Sequence, residues 1–340
     1  MTFLSDIHWR DSEQPQYVSA DVIELILSEN RTEIIDLVAK TYQSFYDGFA
    51  LNPDTYSLKF PQKANSRINA LPAYVGQEIN LAGMKWVASF PDNVTRNKQR
   101  ASAIIIINSF ETGYPLALLD GTQISSARTA ASAALAARLL NPTKSSDCFA
   151  IYGAGIINRD LVKFLLDDGW ALPRVQIRDP DSESKAVFEN FCTELGCETE
   201  QFILNSAPNE CDLVSFATTA LDPWYEYEIR SHQTILHISL RDIVPNRLGG
   251  NVRNIVDDVS HAVKANTSLH LLQQQDGSIP RIENFQSLLK KEKVSPQATV
   301  VAAFGMGMLD VALASFVMDE AQKMGEVQTV SGILPKFNRW

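Results

Sequence analysis

Three cations sit where a chain of this kind has little reason to place them. Arg67 interrupts "SRINALPAY", Lys85 lies inside "LAGMKWVASF", and Arg128 falls within the alanine-dense "TQISSARTAASAALAARLL". A cation buried without a counter-charge costs several kcal/mol, so each of these needs an anion or a route to water. One reading is structural: pairing with an Asp or Glu, or long side chains that reach out to solvent. Taken together, the three also describe a pocket for a substrate carrying carboxylates. Arg100 in "KQRASAIII" is a fourth candidate, although "RNKQR" reads equally as an exposed basic turn. A pocket that holds several carboxylates beside a carbon being oxidised or reduced points to amino-acid or imino-acid chemistry.

A second group begins almost halfway along the chain, in "CFAIYGAGIINRDL". An apolar run enters Gly153-Ala154-Gly155 and a helical pattern follows. The first glycine permits a sharp turn out of a strand, and the second lets a pyrophosphate approach the N–H groups at a helix start. Asn158 stands where a third small residue usually lets helix and strand pack closely. The next apolar run, "RVQIRDPD", ends in Asp179, an acid placed to accept hydrogen bonds from ribose hydroxyls. Such an acid favours NAD over NADP, while Arg178 beside it leaves room for a 2′-phosphate; Asp179 also reads as the opening of a turn before Pro180. Further on, "LHISLRDIVPN" places Asp242 just past a strand's carboxyl end, where ligands sit in parallel sheets. A carboxylate there could exchange the proton that accompanies a hydride, or simply cap the segment that follows.

The elements that must position these residues fall into two styles. Residues 18–48 carry apolar side chains three and four apart, with Ser19 as a cap and Gly48 as a stop, and predict helices. "YSLKF", "SRINALPAYVG" and "LAGMKWVASF" predict strands, and "RASAIIIINSFETGYPLALLDG" a hairpin turning at Glu111-Thr112-Gly113. An alanine-rich helix is expected from about Ser125 to Leu140. From there, short apolar runs at 149–153, 174–178, 200–204, 212–217, 234–239 and 254–257 alternate with helices or loops, the mark of a doubly wound parallel sheet. The final helix, "GMGMLDVALASFVMDEAQKMG", lies beyond that sheet and is expected to pack on the first domain. The fold class is therefore α/β, a Rossmann-type sheet plus an α+β domain. The expected division is 1–125 with 305–340 against 126–304.

Composition narrows the partners. The chain has 340 residues, enough for two cores, and a formal net charge of −10, which argues against nucleic acid or an anionic membrane. The start "MTFLSDIHWRDSEQ" lacks the basic and apolar regions of a signal peptide, and no apolar run approaches the roughly 20 residues that cross a bilayer. Cys148, Cys192, Cys197 and Cys211 lack zinc or redox spacing and are read as free thiols in a reducing cytoplasm. The five histidines form no ligand pattern, so no metal is expected.

"GYPLALLDGTQISSARTAASAALAARLL" followed by "IYGAG" resembles the ornithine cyclodeaminase/μ-crystallin family, and the likeness runs over most of the chain. The resemblance implies a substrate-binding, dimer-forming N-terminal domain ahead of an NAD-binding Rossmann domain. It assigns carboxylate binding to Arg67, Lys85 and Arg128, catalysis to Asp242 with Lys85, the phosphate loop to Gly153, Ala154 and Gly155, and the ribose to Asp179. Cofactor contacts are further expected at Ile156, Ile157, Thr218, Thr219, Ser239, Met306 and Gly307. "SRINALPAYVG", "GMKWVASFPDN", "RASAIIIINSFETGYP" and "FGMGMLDVA" favour one branch of the family. Its members oxidise N-(2-amino-2-carboxyethyl)-L-glutamate with NAD, releasing 2,3-diaminopropionate for siderophores and peptide antibiotics, and 2-oxoglutarate. Ala154, where cyclodeaminases carry Asn, and Met306-Gly307-Met308, where they more often show Ser/Thr-Gly, point away from cyclodeamination. Asn158 departs from the usual Gly or Ala and could shift the helix start.

The mechanism so implied clamps the substrate's carboxylates with the three cations and lets Asp242 act as base toward amine or water. Rival readings stay open: ornithine cyclodeaminase, an alanine or imino-acid dehydrogenase (ketimine reductase), and a non-catalytic nucleotide-binding protein. A cytoplasmic homodimer acting on a small amino acid is the expected setting.

Overall fold

Residues 18–48 form two helices separated by a single break. In the computed structural model, which describes residues 8–200, 207–264, 266–277, 282–290 and 297–335, α1 spans Ala20–Glu29 and α2 spans Arg31–Tyr46. The Ser19 side chain accepts the Val22 N–H at the start, and Gly48, at φ +83°, ends the pair. Asn30 between them leaves helical geometry at φ −122°, ψ 27°. Residues 1–7 of the amino terminus and 201–204 of the third strand expected in the second domain lie outside the described residues.

The chain divides into two units, Met1–Arg128 with Met306–Trp340, and Thr129–Gly305. The first unit is built on one eight-stranded sheet. Its strands are β1 (Gln16–Tyr17), β2 (Ala50–Leu51), β3 (Tyr56–Phe60), β4 (Lys63–Val75), β5 (Leu81–Ser89), β6 (Ala101–Ser109) and β7 (Pro115–Asp120), with β16 (Gln328–Thr329) at one edge. They lie in the order β16-β1-β7-β6-β5-β4-β2, and β3 also pairs with β4. All pairs are antiparallel except β1 with β7.

Side chains alternate across this sheet, so register decides which residues share a face. Leu71 opposes Lys85 and Lys85 opposes Ile105, which puts Arg67, Asn69, Leu71, Lys85 and Ile105 on one face. That face is buried, with Ala73, Val75, Leu81 and Ile107 along it. The last helix, α9 (Gly307–Met324), packs across β4, β5 and β6 as well as α1 and α2. Its close approach depends on Gly307: a Cβ there would stand 3.0 Å from the Leu71 carbonyl oxygen. The alanine-rich helix α3 runs Gly121–Leu140, four residues earlier than expected, because Asp120 caps it by accepting the Thr122 and Gln123 N–H groups.

The second unit is the parallel sheet. Its strands are β8 (Phe149–Tyr152), β9 (Arg174–Arg178), β10 (Glu198–Glu200), β11 (Leu213–Phe216), β12 (Thr234–His237), β13 (Arg253–Val256), β14 (Ile282–Asn284) and β15 (Thr299–Val301). Every pairing is parallel, and the order β10-β9-β8-β11-β12-β15-β13-β14 reverses direction at β8. Strands β14 and β15 were not anticipated: three-residue runs carry too little periodicity to stand out.

One sequence expectation is corrected here. Cys148 and Cys211 are paired as a disulfide, with Cα atoms 4.4 Å apart, and only Cys192 and Cys197 are free. The two residues precede neighbouring parallel strands, and a separation of 63 residues shows nothing of that adjacency. Among the described residues no helix is long and apolar enough to cross a membrane, and no three His, Cys, Asp or Glu side chains are grouped to hold a metal.

Candidate active site

In the first unit, Lys85 points inward from the middle of β5 and only 2 % of it is exposed. Its Nζ lies 2.7 Å from Asp310 Oδ2 and donates to Ser125 Oγ at 2.9 Å. Arg128 Nε reaches the other oxygen of the same carboxylate, Asp310 Oδ1, at 3.1 Å. Ser125 and Arg128 are three apart on α3 and therefore share a face. Asp310 is brought in by the first turn of α9, which Gly307 seats over Leu71, the register partner of Lys85. Two buried cations thus share one buried carboxylate. Burial, with Arg128 next, lowers the Lys85 pKa, while Asp310 raises it; the result is about 8.

Arg67 and Arg100 form a second group. Arg67 opposes Ser89, four residues along β5 from Lys85, which is about 13 Å at the rise of a strand. Arg100 directly precedes Ala101, the next partner of Ser89. Burial and the nearby Arg67 charge both lower the Arg100 pKa. Both arginines are half-buried, and neither makes an ion pair among the described residues. Between Arg67 and Leu71 on the same face, the Asn69 amide oxygen is buried without a hydrogen-bond partner. Of these, sequence reasoning missed Asn69, Ser125 and Asp310; a lone acid in "GMGMLDVALASF" was the available signal for Asp310. Met306 and Gly307, expected at the cofactor, form the buried start of α9 in this unit.

In the second unit, the chain leaves β8 through Gly153 at φ +96°, where a Cβ would run into the Ala217 carbonyl oxygen. Gly155 is the N-cap of α4 (Ile156–Asp167), makes no side-chain cap, and has open space where a Cβ would project. Ile156 is exposed and Ile157 half-buried. The first-turn N–H groups of α4 therefore face no side-chain acceptor, as a dinucleotide's phosphate requires.

Asn158 does not weaken this turn. Its amide donates to the carbonyls of Tyr152 (3.0 Å) and Gly153 (2.7 Å) and accepts from Ser215 Oγ (2.6 Å), so one fully buried side chain ties α4 to β8 and β11. Asp179 Oδ2 accepts the Ala154 N–H at 2.7 Å and Oδ1 the Asp181 N–H at 2.9 Å, so it supports the loop and opens the following turn at once. Arg178, which had left room for a 2′-phosphate, is turned into the protein. Its guanidinium lies 4.8 Å over the Tyr152 ring, bonds the Tyr152 hydroxyl, and reaches Gln176 Oε1 at 3.3 Å. Strand alternation carried it inward, a fact the linear neighbourhood of Asp179 conceals.

Asp242 is fully buried beyond β12. It accepts hydrogen bonds from Thr218 Oγ1, from Ser239 Oγ, and from Trp224 Nε1 at 3.1 Å, and His237 Nε2 lies 3.2 Å from Oδ2. Its backbone carbonyl accepts the N–H groups of Trp224 and Tyr225. Burial alone would raise its pKa, but His237, Ser239 and Thr218 outweigh it and bring it to about 2. This geometry is that of a fixed anion whose acceptor sites are filled within the protein. Thr219 is exposed in the same loop.

The parallel order, the reversal at β8 and the glycine turn define a doubly wound dinucleotide-binding protein. Within that class the chain belongs to the ornithine cyclodeaminase/mu-crystallin family, whose sequence profile matches residues 18–224. It is 28 % identical over 279 residues to N-((2S)-2-amino-2-carboxyethyl)-L-glutamate dehydrogenase of Staphylococcus aureus, covering 76 % of this chain and 80 % of that one. Its fold matches the Δ1-pyrroline-2-carboxylate reductase of Thermococcus litoralis solved with NADH and L-proline, with a TM-score of 0.82, 21 % identity, and coverage of 93 % and 100 %. It also matches an archaeal alanine dehydrogenase dimer with bound NAD, with a TM-score of 0.80, 20 % identity, and coverage of 94 % and 100 %.

Proposed function

We propose that this protein is an NAD-dependent dehydrogenase that oxidises the C–N bond of N-(2-amino-2-carboxyethyl)-L-glutamate, with hydrolysis of the imine to 2,3-diaminopropionate and 2-oxoglutarate. The observation that carries the reading is the charge of the first unit's site. Lys85, Arg128, Arg67 and Arg100 stand against the single carboxylate of Asp310, which leaves three positive charges uncompensated. The proposed substrate brings three carboxylates. Alanine or a pyrroline carboxylate brings one. The fourfold cation set also supplies, locally, the positive field that a chain of net charge −10 lacks overall.

Each residue then has a task. Arg67 and Arg100 hold the distal carboxylates, and Lys85 and Arg128 the one nearest the reacting carbon. Fixing the substrate in one pose removes orientational freedom, and well-oriented reactions gain up to about 7–11 kcal/mol this way. The buried acceptor of Asn69 suits a substrate N–H. The Gly153–Gly155 turn and the bare start of α4 would hold the pyrophosphate of NAD, and Asp179 its ribose. NAD supplies the hydride acceptor. Lys85, with a pKa of about 8, can hold or release a proton at Nζ at working pH. Asp242 keeps Thr218 and Ser239 in place. With Arg178 engaged by Tyr152, that cation is not available to a 2′-phosphate, which favours NAD over NADP.

A homodimer belongs to the same proposal. The outer face of the first sheet sets Tyr56 (69 % exposed), Ala70, Trp86 and Ile104 (54 % exposed) in one row across four strands, an apolar stripe suited to a second copy. Light scattering would report a monomer for Ile104→Lys. The dependence on NAD accords with a cytoplasmic setting.

The test is absorbance at 340 nm with NAD and N-(2-amino-2-carboxyethyl)-L-glutamate, run beside alanine, proline and ornithine. NADH formed only with the first, together with 2-oxoglutarate, is the expected result. A signal from alanine or proline would favour the second reading, a one-carboxylate dehydrogenase served by the Lys85–Arg128–Asp310 group alone. Ammonia from ornithine without net NADH would make the protein a cyclodeaminase.

A further inference from the structure

We infer that Asp310 is a positioning residue that binds Lys85 and Arg128 into one carboxylate receptor and sets the pH range in which that receptor works. The inference rests on the reading of Lys85 and Arg128 as carboxylate ligands and adds to it the group that makes them act as a pair.

The geometry divides one carboxylate between two cations, Oδ2 to Lys85 at 2.7 Å and Oδ1 to Arg128 at 3.1 Å. Neither cation is neutralised alone. The group keeps one surplus positive charge, enough for a single incoming carboxylate, and two donors set apart by the width of the Asp310 carboxylate. Without Asp310, two buried cations would repel each other with nothing between them, and the more titratable would lose its proton. That is Lys85, because a guanidinium stays charged at any working pH.

The surroundings of Lys85 are accounted for on every side. From α3 it meets the Arg128 charge and the Ser125 hydroxyl, and from α9 the Asp310 charge. Its cross-strand neighbours on β4 and β6 are Leu71 and Ile105, which do not titrate. Burial and Arg128 hold the Lys85 pKa at about 8, with Asp310 opposing them. A receptor charged below that pH and discharged above it binds a carboxylate less well as pH rises. Taking away the Asp310 charge moves that alkaline limb to lower pH, by about 1–3 units for an adjacent opposite charge.

The experiment is calorimetric binding of N-(2-amino-2-carboxyethyl)-L-glutamate to the NADH-loaded protein across neutral to alkaline pH. It compares wild type with Asp310→Asn, Asp310→Glu and Lys85→Met. The expected result is an alkaline limb near pH 8 in wild type, its loss in Lys85→Met, and its displacement to lower pH in Asp310→Asn, with NADH affinity unchanged. Asp310→Glu retains the charge and should keep the limb while weakening binding, since the extra methylene misplaces both cations. This variant also serves if Asp310→Asn does not fold. A limb absent from Lys85→Met yet unmoved in Asp310→Asn overturns the role of Asp310 alone. Wild-type binding and an unchanged limb in Lys85→Met overturn the carboxylate reading beneath it. Wild-type affinity in Asp310→Glu overturns positioning.

Discussion

Replacing Asp242 by Asn separates a fixed anion from a working base. The carboxylate's pKa is about 2 in the folded protein against 3.8 for an ordinary aspartate. Each unit is worth about 1.4 kcal/mol, so the ionised form contributes about 2 kcal/mol to stability. The folded value lies below the unfolded one. The contribution is therefore complete above pH 4 or so and disappears as pH falls towards 2. Urea unfolding at neutral pH should show Asp242→Asn less stable by about 2 kcal/mol, and the gap to wild type should close on acidification. Kinetics gives the second half of the test. A base with a working pKa would leave an acid limb in kcat/KM between about pH 5 and 8, and this carboxylate should leave none there. Such a limb in wild type, absent from a folded Asp242→Asn, would refute the fixed-anion assignment and restore the proton to Asp242.

The other predictions concern the two sites separately. Lys85→Ala should lower turnover by about 100-fold or more, the upper range for losing a charged ligand or proton carrier, while NADH still binds by fluorescence. Arg67→Ala and Arg100→Ala should each raise KM for the three-carboxylate substrate by about 10-fold or more and leave any slow alanine oxidation unchanged; equal losses on both substrates would place these arginines outside the site. Asp179→Ala removes the acceptor of the Ala154 N–H, so NADH affinity should fall about 10-fold and discrimination against NADPH should relax, as read by competitive titration. Asn158→Ala gives up two donated bonds and strands the Ser215 hydroxyl, which should cost about 3 kcal/mol in chemical denaturation; an unchanged midpoint would make the network incidental.

Much of this protein is legible from local pattern because its causes are local. Turn residues and caps such as Ser19, Gly48 and Gly153 act over a few bonds, and alternation or three-and-four spacing follows from backbone geometry alone. The order of helices and strands, the glycine turn and the inward position of Lys85 therefore follow from the linear chain. So does the suspicion that buried cations need anions. What escaped the sequence depends on which distant segments meet. Asp310 lies 225 positions beyond Lys85, and the packing of α9 across β4 and β5 brings them to 2.7 Å. Cys148 finds Cys211 because β8 and β11 are neighbours, and Asn158 finds Ser215 for the same reason. Arg178 and Asp179 are adjacent in sequence but face opposite ways, one into an aromatic cluster and the other onto the loop. The residue types by themselves determined that this chain carries a dinucleotide-binding turn and cations in need of anionic partners. Only the tertiary structure decided which of those charges pair with each other and which do not, because that balance is set by distances of a few ångströms between segments far apart in the chain.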